Sequence, residues 1–138
     1  MFGNIKKCAI FVHYSINDID NIEKKRTKLV NFCTETLKCD DYEVFIEIGS
    51  FEGERKIFDD MLSEFEKGAY SHLIVEDIGQ IYKLSYDIQK AVDLTDKIQA
   101  MNVTIISVNE NRIIEGIESL KQSRNNRIKQ GINCKKRI

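Results

Sequence analysis

The sequence predicts a single α/β domain, a mostly parallel sheet of four to five strands with helices on both faces. Three observations lead there. Short runs rich in Val, Ile and Phe alternate with longer stretches of helical periodicity. The strand-like runs are almost continuously apolar, as a sheet covered on both faces requires. The chain has 138 residues, 42% apolar and 31% charged, which is one domain's worth of sequence, and no Gly/Ser/Pro-rich linker divides it.

Four runs read as strands: Cys8–His13, Glu43–Ile48, Ser71–Val75 and Val103–Val108. Between the first two, Asp18–Leu37 puts Ile22, Leu29, Val30, Cys33 and Leu37 on one helical face. Glu54–Lys67 does the same with Ile57, Phe58, Met61, Leu62 and Phe65, and Gly68 supplies a C-terminal stop. Leu84–Met101 carries Leu84, Ile88, Ala91, Val92 and Ile98 at helical spacing. A last helix is expected from Glu110, with Ile113, Ile114, Ile117 and Leu120, before a basic tail begins. Strands alternating with helices imply βαβ units. The expected organisation is a core domain over residues 1–110 and a helix with a basic tail over 111–138.

Composition excludes several classes. The apolar fraction is too high for intrinsic disorder. The longest apolar runs, such as Ala9-Ile10-Phe11-Val12, are far too short to span a bilayer, and residues 1–7 lack a signal-peptide pattern. A soluble cytoplasmic protein, with no membrane partner, is expected. Cys8, Cys33, Cys39 and Cys134 form no C-x-x-C pair and have no histidine at zinc spacing, so they read as small reduced core residues. His72, inside a strand run, reads as a packed core residue. Tyr82 and Tyr86 read as edge packing or as support for a DNA-facing surface.

Charge is distributed unevenly. Lys121, Arg124, Arg127, Lys129, Lys135, Lys136 and Arg137 give residues 121–138 a charge of +7 with no acidic residue. Because the whole chain carries −1, residues 1–120 carry −8. A basic tail on an acidic body fits contact with a polyanion such as nucleic acid, and equally a solvated terminus.

In an open parallel sheet, sites form beyond the carboxyl ends of the strands. The loops there are His13-Tyr14-Ser15-Ile16-Asn17-Asp18, Gly49-Ser50-Phe51-Glu52-Gly53-Glu54-Arg55, and Glu76-Asp77-Ile78-Gly79-Gln80-Ile81-Tyr82-Lys83. No dinucleotide or P-loop glycine pattern is present. The acidic pair of a response regulator after the first strand is also missing.

Over most of residues 7–110 this arrangement resembles the N-terminal catalytic domain of the serine recombinases, the resolvase/invertase family. His13-Tyr14-Ser15 stands where that family has Arg-Val-Ser, whose serine attacks DNA. Glu47, Gly49-Ser50 and Arg55, followed by Met61-Leu62, match an acidic residue, a short loop and a helix-opening arginine. Asp77, Ile81 and Lys83, followed by Asp87-Ile88, hold the frame of Asp-Arg-Leu-x-Arg. The chain departs at three cationic positions: His13, Gln80 and Lys83 replace arginines. The glutamines that usually follow the nucleophile are not at their usual places. With the sequence ending at Ile138, a catalytic-type domain without the family's downstream DNA-binding domain is expected.

The resemblance implies site-specific DNA recombination through a phosphoserine linkage, with no metal or cofactor. It implies Ser15 as nucleophile and Arg55 as the main phosphate clamp. Lys83, Gln80 and His13 are then weaker substitutes for arginine, with Glu47 and Asp77 orienting the cations. It further implies DNA as partner and assembly as a homodimer or tetramer, or with a partner recombinase. Arginine's planar fork matches phosphate, so these replacements predict weak or lost cleavage. An inactive relative acting as a dimerising regulator is the alternative. Each residue also fits a plainer role. Ser15 fits a turn or helix cap, Asp77 a turn cap, Gln80 and Lys83 solvated loop positions, and Arg55 a pairing with Glu52 or Glu54.

Overall fold

A computed structural model describes residues 2–49, 55–81 and 88–114. Eight parts of the sheet-and-helix framework are regular. They are β1 (Cys8–Tyr14), α1 (Ile22–Asn31), β2 (Tyr42–Ile48), α2 (Lys56–Glu66), β3 (His72–Val75), α3 (Ile88–Ala100), β4 (Thr104–Ser107) and β5 (Arg112–Ile114). The sheet order is β2-β1-β3-β4-β5. The first four strands are parallel, and β5 runs antiparallel to β4.

All seven residues of β1 are buried, because it lies between two strands and under helices on both faces. Alternation along β1 divides the core in two. Ala9 and Phe11 pack with Phe58, Met61, Leu62 and Phe65 of α2 and Ala91, Val92 and Ile98 of α3. Cys8, Ile10, Val12 and Tyr14 pack with Leu29, Cys33 and Leu37 on the opposite face. The Phe11 and Phe58 rings meet edge to face at 5.4 Å. α2 ends where Gly68 takes φ +81°, a conformation that costs a side-chain-bearing residue strain.

The expected long helix over 18–37 is composite. A 3-10 turn (Ile16–Asn21) leads into α1, which widens into a π turn (Phe32–Thr36) closed by Leu37 N–H on the Phe32 carbonyl. The helix expected from Glu110 is corrected at its start. Val108–Asn111 forms a turn, with Asn111 at φ +50°, and Arg112–Ile114 returns as β5 beside β4. Short apolar β-branched runs fit either period, and the turn chemistry of Asn109-Glu110-Asn111 decided for the strand. His72 is buried with both ring nitrogens engaged, by Ser71 Oγ at 2.8 Å and the Phe2 carbonyl at 2.6 Å. No helix among the described residues is long and apolar enough to cross a membrane.

Candidate active site

The strand order reverses direction between β1 and β3, since the chain moves from β1 out to β2 and then back past β1. Such a switch point opens a crevice beyond the carboxyl ends of the two strands. Ser15 follows β1 there, and the Asp77–Ile81 segment follows β3.

Ser15 is exposed and extended, with φ −80° and ψ 163°. It sits at the N-cap position of the 3-10 turn, and its side chain makes no capping bond to that turn. The neighbouring loop is tied to it through backbone, because Gly49 N–H donates to the Tyr14 carbonyl at 3.1 Å. Gly49 has φ +123°, which lets the chain leave β2 sharply.

Sheet register places His13 of β1 beside Glu47 of β2. Both side chains are almost wholly buried. Glu47 holds two groups at once. One oxygen accepts from Arg55 Nε at 2.9 Å, and the other accepts from the Phe58 amide at 3.0 Å. Phe58 is in the first turn of α2, so this carboxylate satisfies one of the helix's orphan donors and complements its dipole. It also neutralises Arg55, which occupies the N-cap position of the same helix.

Arg55 links three loops. Besides Glu47, its Nη1 donates to the Ile81 carbonyl at 2.7 Å, and its guanidinium lies 4.1 Å from the centre of the Phe58 ring. Its side chain is only 10% exposed. Two guanidinium nitrogens are thereby committed to protein acceptors, and the cation is held between β2 and the turn that follows β3.

The β1–β3 ladder stops at Ile10 and Ile74. Beyond it Gln80 bridges the gap, accepting from the His13 amide with Oε1 at 2.9 Å. Asp77 starts the turn that brings Gln80 there, through a 2.8 Å bond from Gly79 N–H to its carboxylate. Ile78 and Ile81 anchor the segment in the core. The His13 imidazole is held below the ordinary histidine value, first by burial and then by the nearby Arg55 charge. It is therefore neutral at pH 7 in the unliganded chain.

The fold thus brings Ser15, His13, Glu47, Arg55, Asp77 and Gln80 onto the carboxyl ends of β1 and β2 and the segments that follow β1, β2 and β3. Among these, Glu47 contacts Arg55 directly, whereas Asp77 serves the turn and Gln80 the β1 backbone. Lys83, Ser50, Glu52, Glu54, Tyr82, Tyr86, the continuation of the chain past Ile114 and all seven tail cations lie outside the described residues. Sequence reasoning missed the Ile81 carbonyl, a backbone group without a residue signature, and the Phe58 ring, which its spacing marked only as core. The only metal-competent group of side chains among the described residues is Cys8, Cys33 and Cys39, at the other end of the sheet.

The family described as "Resolvase, N terminal domain" matches residues 9–129. No curated protein sequence matches the chain. Solved structures share its fold. The N-terminal catalytic domain of TP901-1 integrase is 18% identical with a TM-score of 0.61, covering 92% of this chain and 98% of that one. A resolvase family site-specific recombinase from Streptococcus pneumoniae is 16% identical with a TM-score of 0.60, covering 95% of this chain and 97% of that one. The C-terminal catalytic domain of ISC1926 TnpA, an IS607-like serine recombinase, is 16% identical with a TM-score of 0.56, covering 85% and 76%.

Proposed function

Because this chain belongs to the resolvase family through its N-terminal domain, we propose that it carries out the DNA strand transfer of a serine recombinase, at a reduced rate. The observation that carries this reading is an exposed serine just past the carboxyl end of β1, at the same sheet edge as an arginine fixed by a buried carboxylate. In the proposed step Ser15 Oγ attacks a DNA phosphorus. An O–P bond forms, the bridging P–O bond breaks, and the departing strand end leaves as a hydroxyl. Transfer is the same exchange run with a different strand's hydroxyl as attacker, which releases Ser15.

Negative charge grows on the non-bridging phosphate oxygens in this step, and fixed cations stabilise it. Arg55 supplies the fixed charge, and its rigid mounting avoids reorganisation during reaction. Lys83 contributes charge without arginine's two-pronged geometry. Gln80 is engaged with the β1 backbone, and His13 is neutral until an anion arrives. Each missing donor costs roughly 10²–10³ in rate, without simple additivity, so slow turnover is expected. DNA affinity comes from the seven tail cations, and assembly with a second copy or a partner recombinase supplies the second cut.

A second reading has its own observation. With Arg55 bound to Glu47 and Ile81, and Gln80 bound to His13, the site is knit together as a structural unit. An inactive relative acting as a regulator or partner subunit would look the same. Covalent capture separates the two. The chain is fused to a DNA-binding module of known target and quenched on DNA carrying varied core sequences. A protein–DNA adduct that disappears in Ser15→Ala is the expected result; no adduct on any core sequence supports the regulator.

A further inference from the structure

On the face of the sheet opposite Arg55, three cysteine sulfurs meet in the core. Cys8 opens β1, Cys33 lies in the π turn after α1, and Cys39 lies in the loop leading to β2. Their Sγ atoms all lie within 4.8 Å of one another. Cys8 and Cys33 are fully buried, and Cys39 is 8% exposed, at the rim.

Two backbone features bring them together. The π turn Phe32–Thr36 widens the helix end, and Lys38 follows at φ +57°, the left-handed region that non-glycine residues avoid. The chain doubles back, so that the Cys39 amide donates to the Cys33 carbonyl at 3.0 Å. The left-handed Lys38 and the bond from Cys39 to Cys33 close the widened helix in a Schellman-like ending, and this turn carries Cys39 back beside Cys33.

The Cys33 thiol donates to the Cys39 carbonyl and the Cys39 thiol to the Asp41 carbonyl, each at 3.4 Å, so backbone acceptors hold both sulfurs in place.

We propose that Cys8, Cys33 and Cys39 form a three-sulfur binding site for one copper(I) ion. Thiolates select soft metals, and this group offers three sulfurs with no fourth Cys, His, Asp or Glu ligand among the described residues. Structural zinc takes four protein ligands, whereas a monovalent soft ion is satisfied by three. Metal–sulfur bonds of about 2.3 Å place three sulfurs about 4 Å apart around a planar centre, so the site closes with only small side-chain movements. The ion enters past Cys39. Each thiol that becomes a thiolate gives its proton to the buffer, and no electron moves, because copper arrives already as Cu(I).

The test uses the reduced full chain without oxygen, titrated with the acetonitrile complex of Cu(I) against the chelator bathocuproine disulfonate. One copper retained per chain is expected, with a higher thermal midpoint and, by X-ray absorption, three sulfur neighbours at about 2.3 Å. Cys134→Ser leaves retention unchanged, while Cys39→Ser and Cys33→Ser lose it. Complete surrender of copper to the chelator overturns the proposal. So does equal retention by Cys39→Ser, or nitrogen and oxygen neighbours around the metal. Should the variants unfold, the absorption spectrum of the unaltered chain decides alone.

Discussion

Glu47 is placed so that removing it harms both the fold and the site. Its carboxylate is buried, and it is the acceptor for Arg55 and for the first turn of α2. Breaking a buried pair by deleting one partner leaves a charge in the core, which costs about 3–5 kcal/mol. Glu47→Ala is therefore expected to lower stability by that amount in urea unfolding. Glu47→Ala combined with Arg55→Met should recover part of the loss, since both charges are then gone. A near-neutral Glu47→Ala would mean that Arg55 does not depend on this carboxylate. His13 gives a pH dependence whose sign is fixed. Its folded value lies below the ordinary 6.5, because burial and Arg55 oppose the charged form. Between the two values the unfolded chain binds more protons, so stability rises with pH there. The His13 contribution is complete above about pH 6.5 and declines as pH falls toward the folded value. Urea midpoints compared at about pH 7.5 and about pH 5.5 should therefore fall less in His13→Gln than in the unaltered chain. An equal fall would assign the acid sensitivity to other groups. In the sequence, Arg55 stood out as a cation at a helix start, with Glu52 and Glu54 the nearest acids along the chain. Among the described residues its carboxylate partner is Glu47, eight positions earlier and on β2.

At the scale of elements, β1 and β3 part company after Ile10 and Ile74, and a side chain continues the ladder. Gln80 acts as a strut across the mouth of the crevice. Gln80→Ala withdraws the oxygen that receives the His13 amide, which costs about 1–3 kcal/mol. Local opening at the end of β1 should become easier, and His13 amide exchange should quicken about tenfold for each ~1.4 kcal/mol lost. Unchanged protection of that amide would show that the strut carries no weight. The strands and helices of the core were legible because their apolar periods are long and uninterrupted, as in α2, where Phe58, Met61, Leu62 and Phe65 share one face. β5 was not, because three residues carry too little pattern to separate a strand from the first turn of a helix. The π turn was also hidden, since Cys33 and Leu37 keep helical spacing through it while the backbone widens.

For the molecule as a whole, the strand order decides where chemistry can occur. A sheet ordered 2-1-3-4-5 places its crevice at the ends of β1 and β3, and the loops carrying Ser15, Arg55 and Gln80 converge on that edge. That edge was foreseeable from alternating strands and helices, because parallel sheets put their loops for binding at the carboxyl ends. The cysteine cluster at the opposite end was not foreseeable. Cys33 and Cys39 are separated by five residues and Cys8 lies 25 positions earlier, so only the parallel pairing of β1 with β2 and the doubled-back turn unite them. The molecule therefore carries two chemically distinct regions at opposite ends of one sheet, the edge where Ser15, Arg55 and Gln80 gather and a thiol cluster. The most direct measurement of the central claim is to capture the chain on cleavable DNA, trim the adduct with nuclease and identify the modified peptide by mass spectrometry. A nucleotide remnant on Ser15 is the predicted result. A remnant on any other residue, or peptides unmodified throughout, would contradict it.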